Sequence, residues 1–327
     1  MNRYTPLLMV LTACCSSAVV AQDAPLTTDD IAVLRRQAEQ GDAQEQYGFA
    51  FMYDLGIGVT ENKAEAVKWY RLAAAQGNAG AQTKLGLMYS SGEGVAENDA
   101  EAVKWFRLAA AQGDADAQYN LGVMYSSGEG VQKNYGEAFK WYRLAAAQGN
   151  AGAQYNLGFV YANGEGVAEN DAEAVKWYRL AAAQGAADAQ YNLGVMYANG
   201  EGVAENDAEA VKWYRLAADQ GYASAQYNLG VMYTNGEGVA ENDAEAVKWY
   251  RLAAAQGDAL AQSNLGSLYA RGEGVPESKV NAYFWFNLAA AQGYADAKTN
   301  KAIIEKQMTR EQIAEAQRRS AAWKPKK

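Results

Sequence analysis

The chain has 327 residues, 50% of them apolar, 20% charged and 11% aromatic, with 4 Pro, 2 Cys, no His and a formal charge of −9. This composition excludes a disordered, collagen-like or disulfide-stapled chain, which would need few apolar residues, periodic Gly with Pro, or dense Cys. The acidic balance repels a phosphate backbone and no basic cluster in the body offsets it, so nucleic acid is a poor partner.

The first element, residues 1–21, reads as a secretory signal. Asn2 and Arg3 form a short positive start, Pro6 to Val20 is apolar, and Val19-Val20-Ala21 places small side chains before Gln22. The stretch is too short for a membrane span. Cleavage there leaves a chain of charge −10 without Cys, because Cys14 and Cys15 lie in the signal. Such a chain suits an oxidising compartment, periplasmic or extracellular. An alternative uses Leu11-Thr12-Ala13-Cys14, which is similar to the lipobox of bacterial lipoproteins and would anchor the protein to the outer membrane through Cys14. In either form the body lacks the usual general base, zinc ligands and thiol nucleophile, so a non-enzyme without metal or cofactor is expected.

Residues 22–41 form an N-terminal capping helix, with 27–41 resembling a lone second helix. Seven repeats of 36 residues follow over 42–293: Trp stands at 69, 105, 141, 177, 213, 249 and 285, Gly-x-Gly pairs start at 56, 92, 128, 164, 200, 236 and 272, and single glycines close each repeat. A fixed period of this size specifies a solenoid or array of stacked elements.

Each repeat reads as two helices. Ala117, Leu121, Met124 and Tyr125 share one helical face, with Asp114 placed to cap the start and Gly128 the end. Ala102, Trp105, Phe106, Ala109 and Ala110 make the face of the second helix. Asn98 with Glu101 offers a capping box, and Gly113 a left-handed stop. Trp is read as core, worth about 2 to 3 kcal/mol in each repeat. Gly122 and the Ala109-Ala110 pair are read as letting helix backbones approach. Residues 294–327 hold C-terminal capping helices, the last begun by Thr309 with Gln312 and ending near Trp323, then a short basic tail, Lys324-Pro-Lys-Lys327.

These residues resemble the Sel-one-like repeat family, a relative of the tetratricopeptide repeat. The resemblance rests on Ala-Asp-Ala-Gln-Tyr-Asn-Leu-Gly-Val-Met-Tyr at 115–125, Gly-Glu-Gly-Val at 128–131 and Lys-Trp-Tyr-Arg-Leu-Ala-Ala-Ala-Gln-Gly at 140–149. It implies an all-α solenoid, a right-handed superhelix of helix-turn-helix repeats whose first helices line the concave side. It also implies a protein or peptide partner.

No catalytic constellation competes with that reading. The Gly-x-Gly loops follow a helix and lack the phosphate-cradle pattern, so their glycines serve positive φ in the turn. Glu129, Glu97 and Asp99 lack EF-hand spacing. Some Cys-rich relatives are linked to β-lactam chemistry. This chain has no Ser-x-x-Lys and lacks their paired cysteines, which leaves a cell-envelope or β-lactam hydrolase as the weakest alternative.

The candidate site is therefore a surface on the first helices. One column runs Asn120, Asn156, Asn192, Asn228, Asn264 and Asn300, interrupted by Lys84. Another runs Tyr47, Tyr119, Tyr155, Tyr191 and Tyr227, broken by Thr83 and Ser263. Asn can donate and accept along a peptide backbone, and Tyr offers area with a polar tip, but both columns could equally bond a neighbouring helix. The column Phe51, Leu87, Val123, Phe159, Val195, Val231 and Ser267 varies in size, which places a preferred docking segment near Phe159.

Overall fold

The structure, a computed structural model, describes residues 26–325. The export signal, Cys14 and the end of the basic tail lie outside the described residues. Among those described there are 17 helices and no strands. The described chain divides into two compact units, one ending at Glu169 and one beginning at Asn170.

In the N-terminal unit α1 spans Thr28–Glu39, α2 Ala43–Leu55, α3 Lys63–Ala75, α4 Ala79–Ser91, α5 Asp99–Ala111, α6 Ala115–Ser127, α7 Tyr135–Ala147 and α8 Ala151–Asn163. In the C-terminal unit α9 spans Asp171–Ala183, α10 Ala187–Asn199, α11 Asp207–Asp219, α12 Ala223–Asn235, α13 Asp243–Ala255, α14 Ala259–Arg271, α15 Lys279–Ala291, α16 Ala295–Glu305 and α17 Arg310–Ala322. Within each unit the two helices of a repeat pack most extensively on each other, and the second then packs on the first helix of the next repeat. This is the α-solenoid arrangement, in which every repeat needs only its neighbours.

Local chemistry sets the helix ends. Asp114 accepts from the Ala117 amide and Gly128 ends α6 at φ 86°. At the second helices the expected capping box is only half made. Asn98 accepts from the Glu101 amide, but the Glu101 carboxylate is held by Lys104 one turn on, a stronger partner than a neutral backbone amide. Both halves of the box form at Thr309 and Gln312, which open α17.

The core differs from expectation in one respect. Trp69, Trp105, Trp141, Trp177, Trp213 and Trp285 are half-buried, and only Trp249 of this column is buried. The deepest aromatic is the next residue: Tyr70, Phe106, Tyr142, Tyr178, Tyr214, Tyr250 and Phe286 are all buried. This also corrects the role of Gly122. A Cβ there would stand 2.6 Å from the Tyr142 ring, so the glycine is a socket for an aromatic side chain and not a point of backbone contact. The same socket recurs at Gly86 against Phe106 and at Gly230 against Tyr250.

The second glycine of each Gly-x-Gly pair does more than turn the chain. Gly166 has φ +76°, and a Cβ on it would lie 2.5 Å from the Tyr135 carbonyl carbon and oxygen. The loop that leaves one repeat's first helix thus presses on the second-helix start of the repeat before. At the C-terminal end α16 and α17 both pack on α15, where Tyr283, Phe284, Phe286, Ile304 and Ala316 close the core.

Candidate interaction face

The first helices turn one face inward through Ala, Gln, Leu and Gly. In α6 these are Ala117, Gln118, Leu121 and Gly122, all buried. The buried glutamine is fully used: Gln118 Nε2 donates to the Ala110 carbonyl at 3.2 Å, and its Oε1 accepts from Gln148 at 2.8 Å. Gln46–Gln76, Gln82–Gln112, Gln190–Gln220, Gln226–Gln256 and Gln262–Gln292 repeat the contact. This ladder was missed from the sequence, although a polar residue recurring beside an apolar stripe was its signal. Buried polar atoms need such partners, so the ladder fixes the register of neighbouring second helices.

The Tyr and Asn columns lie one residue further round, half-buried at Tyr119, Asn120, Tyr155, Asn156, Tyr191, Asn192, Tyr227, Asn228 and Asn264. Three of these Tyr rings lean on the buried ring of their own repeat: Tyr119 on Tyr142 at 6.3 Å, Tyr191 on Tyr214 at 5.9 Å, Tyr227 on Tyr250 at 5.9 Å. Three of the Asn side chains reach back to the repeat before. Asn264 donates to the Tyr250 hydroxyl at 3.2 Å, and Asn156 and Asn228 stand beside the hydroxyls of Tyr142 and Tyr214. For Asn120 the residue at the corresponding position is Phe106, which has no hydroxyl, and Asn120 donates instead to the Asp116 carbonyl in its own helix at 2.8 Å. The amide column is thus partly committed to the joints between repeats.

Burial pushes the hydroxyls of Tyr142, Tyr214, Tyr227 and Tyr250 up from the ordinary phenol range, because their ionised forms would lose hydration. They stay neutral at physiological pH and act as hydrogen-bonding ends of packed rings. Phe159 is different. It is 41% exposed and projects from α8.

Where the Tyr column is broken, a hollow of about 540 Å³ opens in the N-terminal unit. Tyr47 and Tyr119 flank it, Thr83 and Lys84 stand where other repeats have Tyr and Asn, and Asp116 and Gly152 line it from the following repeats. Phe159 is not among its lining residues. On the opposite helices a second feature escaped the sequence reading: Leu72, Leu108, Leu144, Leu180, Leu216 and Leu252 are each 44–50% exposed, three residues after each Trp. Each follows an arginine, and Arg107 donates to the Tyr125 hydroxyl at 2.9 Å.

Among the described residues no three His, Cys, Asp or Glu side chains gather to hold a metal ion, and no helix is long and apolar enough to cross a membrane.

Seven consecutive segments match the Sel1 repeat, at residues 41–78, 79–114, 115–150, 151–185, 187–222, 223–258 and 259–294. Among solved structures the chain is similar to c5321, described as a protective antigen present in uropathogenic Escherichia coli strains and displaying an SLR fold. Identity is 33% and the TM-score 0.62, covering 96% of this chain and 74% of that one. It is also similar to a Sel1 repeat protein from Oxalobacter formigenes, at 36% identity and a TM-score of 0.67 over 83% of this chain and 79% of that one. Among curated proteins none matches.

Proposed function

We propose that the chain, which belongs to the Sel1 repeat family, is an exported, non-catalytic scaffold that binds a protein or peptide on its first-helix face. One observation carries this reading: the interior of each repeat is closed by its own side chains, while rings and amides of the Tyr and Asn columns stay half open to solvent on that face. Rigid aromatic side chains bury large area at low entropic cost, which is what a binding surface needs. Phe159 adds an apolar anchor beside Tyr155 and Asn156.

Export rests on Arg3, the apolar stretch to Val20 and the small residues before Gln22. A Cys-free body agrees with an oxidising destination. The Leu-Thr-Ala-Cys14 sequence supports a second form, anchored to the outer membrane by lipid on Cys14. The mass of the mature N-terminus separates the two.

The test is crosslinking mass spectrometry in the native envelope, comparing the natural protein with a Phe159→Ala, Tyr155→Ala variant of unchanged helicity. A partner captured by the natural chain and lost by the variant supports the reading. Capture by both moves the site to other helices, and failure to capture any protein overturns the scaffold.

A further inference from the structure

We infer that the hollow at Thr83 and Lys84 is a binding site for a short peptide with both termini free, about three residues long. Its walls are fixed by packing. A Cβ on Gly80 would lie 3.3 Å from the Tyr47 ring and one on Gly152 3.0 Å from the Tyr119 ring, so both rings lie over glycines of the following repeat. The space between them is the volume that a tyrosine at 83 would fill. Thr83 is too short to fill it, and its hydroxyl is bonded to the Ala79 carbonyl and to Asp114 at 3.1 Å each.

The lining of the hollow carries one cation, Lys84, and two carboxylates, Asp114 and Asp116. Lys84, the one cation in the Asn column, is half-buried and makes no hydrogen bond among the described residues. Its nearest carboxylate oxygen, Asp54 Oδ2, is 4.0 Å away. Asp54 is already occupied by Lys63 at 2.8 Å and the Tyr70 hydroxyl at 3.2 Å. Asp116, which is exposed, spends Oδ1 on Asn150 at 2.8 Å, and its Oδ2 has no hydrogen bond among the described residues. A half-buried ammonium held by no hydrogen bond, with the Phe51 ring 5.7 Å away, and an exposed carboxylate thus line one cavity, together with two aromatic faces.

Helix geometry sets the ligand length. Asp116 lies four residues before Asn120, the α6 counterpart of Lys84, which is about 6 Å along the axis. One helix spacing of about 9 Å separates α4 from α6, giving a diagonal of about 11 Å. Three extended residues span about that distance. The ligand carboxylate meets Lys84, its ammonium meets Asp116 and the Tyr faces, and its middle lies where Thr83 leaves room.

The test is calorimetric titration of the intact protein with trialanine, N-acetyl-trialanine and trialanine amide. Free trialanine is expected to bind, with the amide weaker by about tenfold or more because half-buried Lys84 is left without its partner, and the N-acetyl form weaker by less because Asp116 is exposed. The variant Thr83→Tyr, Lys84→Asn restores the residues that most other repeats carry, so it is expected to fold, and it should bind none of the three. Lys84→Met keeps the side-chain stem and should abolish only the preference for a free carboxylate. No heat from the natural protein, equal binding of blocked and free peptides, or unchanged binding by the double variant would overturn the proposal. These substitutions leave Tyr155 and Phe159 in place, and neither of those lines the hollow, so their outcome is independent of the scaffold test.

Discussion

In the C-terminal unit Tyr227 leans on Tyr250 and Asn264 donates to the Tyr250 hydroxyl, so ring, hydroxyl and amide close the first-helix face. At the corresponding places in the N-terminal unit stand Thr83, Phe106 and Asn120. Here there is no ring to lean, no hydroxyl to receive the amide, and Asn120 turns to its own helix. The framework beneath is the same in both. Gly86 receives Phe106 as Gly230 receives Tyr250, and Gly94 presses on Lys63 as Gly238 presses on Asp207. Two substitutions, Thr83 for Tyr227 and Phe106 for Tyr250, separate the two faces, and the solenoid tolerates either because its stability resides in the sockets and joints below.

Removing the closed region's central ring is expected to have the largest effect. Tyr250→Ala should cost about 3 to 5 kcal/mol by thermal or denaturant melting, since a fully buried aromatic leaves a cavity that its neighbours cannot fill. A loss below about 1 kcal/mol would mean that the socket is not what holds the repeat.

The loop joints should respond alike in both regions. Gly94→Ala and Gly238→Ala should each cost about 2 to 4 kcal/mol, combining an unfavourable left-handed φ with a Cβ driven into backbone. Clearly unequal melting shifts would show that the open face weakens its own joint. Trp177→Ala should fall below Tyr250→Ala, at about 2 kcal/mol, because the indole is only half-buried.

Alkaline pH separates the regions by chemistry. The buried tyrosines have folded pKa values above their unfolded ones, so their stabilisation is complete below about pH 10 and is lost as pH rises towards the folded values. Melting temperatures should therefore fall above about pH 10, and Tyr250→Phe should reduce that fall. Phe106 cannot titrate and contributes nothing to it. The smallest effect is Phe106→Tyr, which offers Asn120 the hydroxyl it lacks. Stability should change by less than about 1 kcal/mol, while the amide resonances of Asn120 should shift as its side chain leaves Asp116.

The period of Trp and Gly made the repeats legible, and Asp114, Gly128 and Gly113 marked helix ends where the structure has them. These signals act within one helix or one turn, where the residue and its partner are a few positions apart. The choice between Trp105 and Phe106 as the deeper ring was not legible. Both lie on the same helical stripe, and what separates them is whether a glycine on another helix faces the ring. The Asn column was ambiguous for the same reason, since a side chain copied in every repeat looks alike whether it bonds Tyr250 or awaits a ligand.

By itself, then, the sequence determined the helices, their caps, the period and the all-α repeat class, because helical propensity, capping and left-handed φ are decided by neighbours along the chain. Tertiary structure alone decided the glutamine ladder, the glycine sockets, the half-exposed Trp and Leu columns and the hollow beside Thr83. Each of these depends on what stands opposite a side chain some 14 to 35 residues away, and burial and hydrogen bonding at that distance are fixed only when the helices stack.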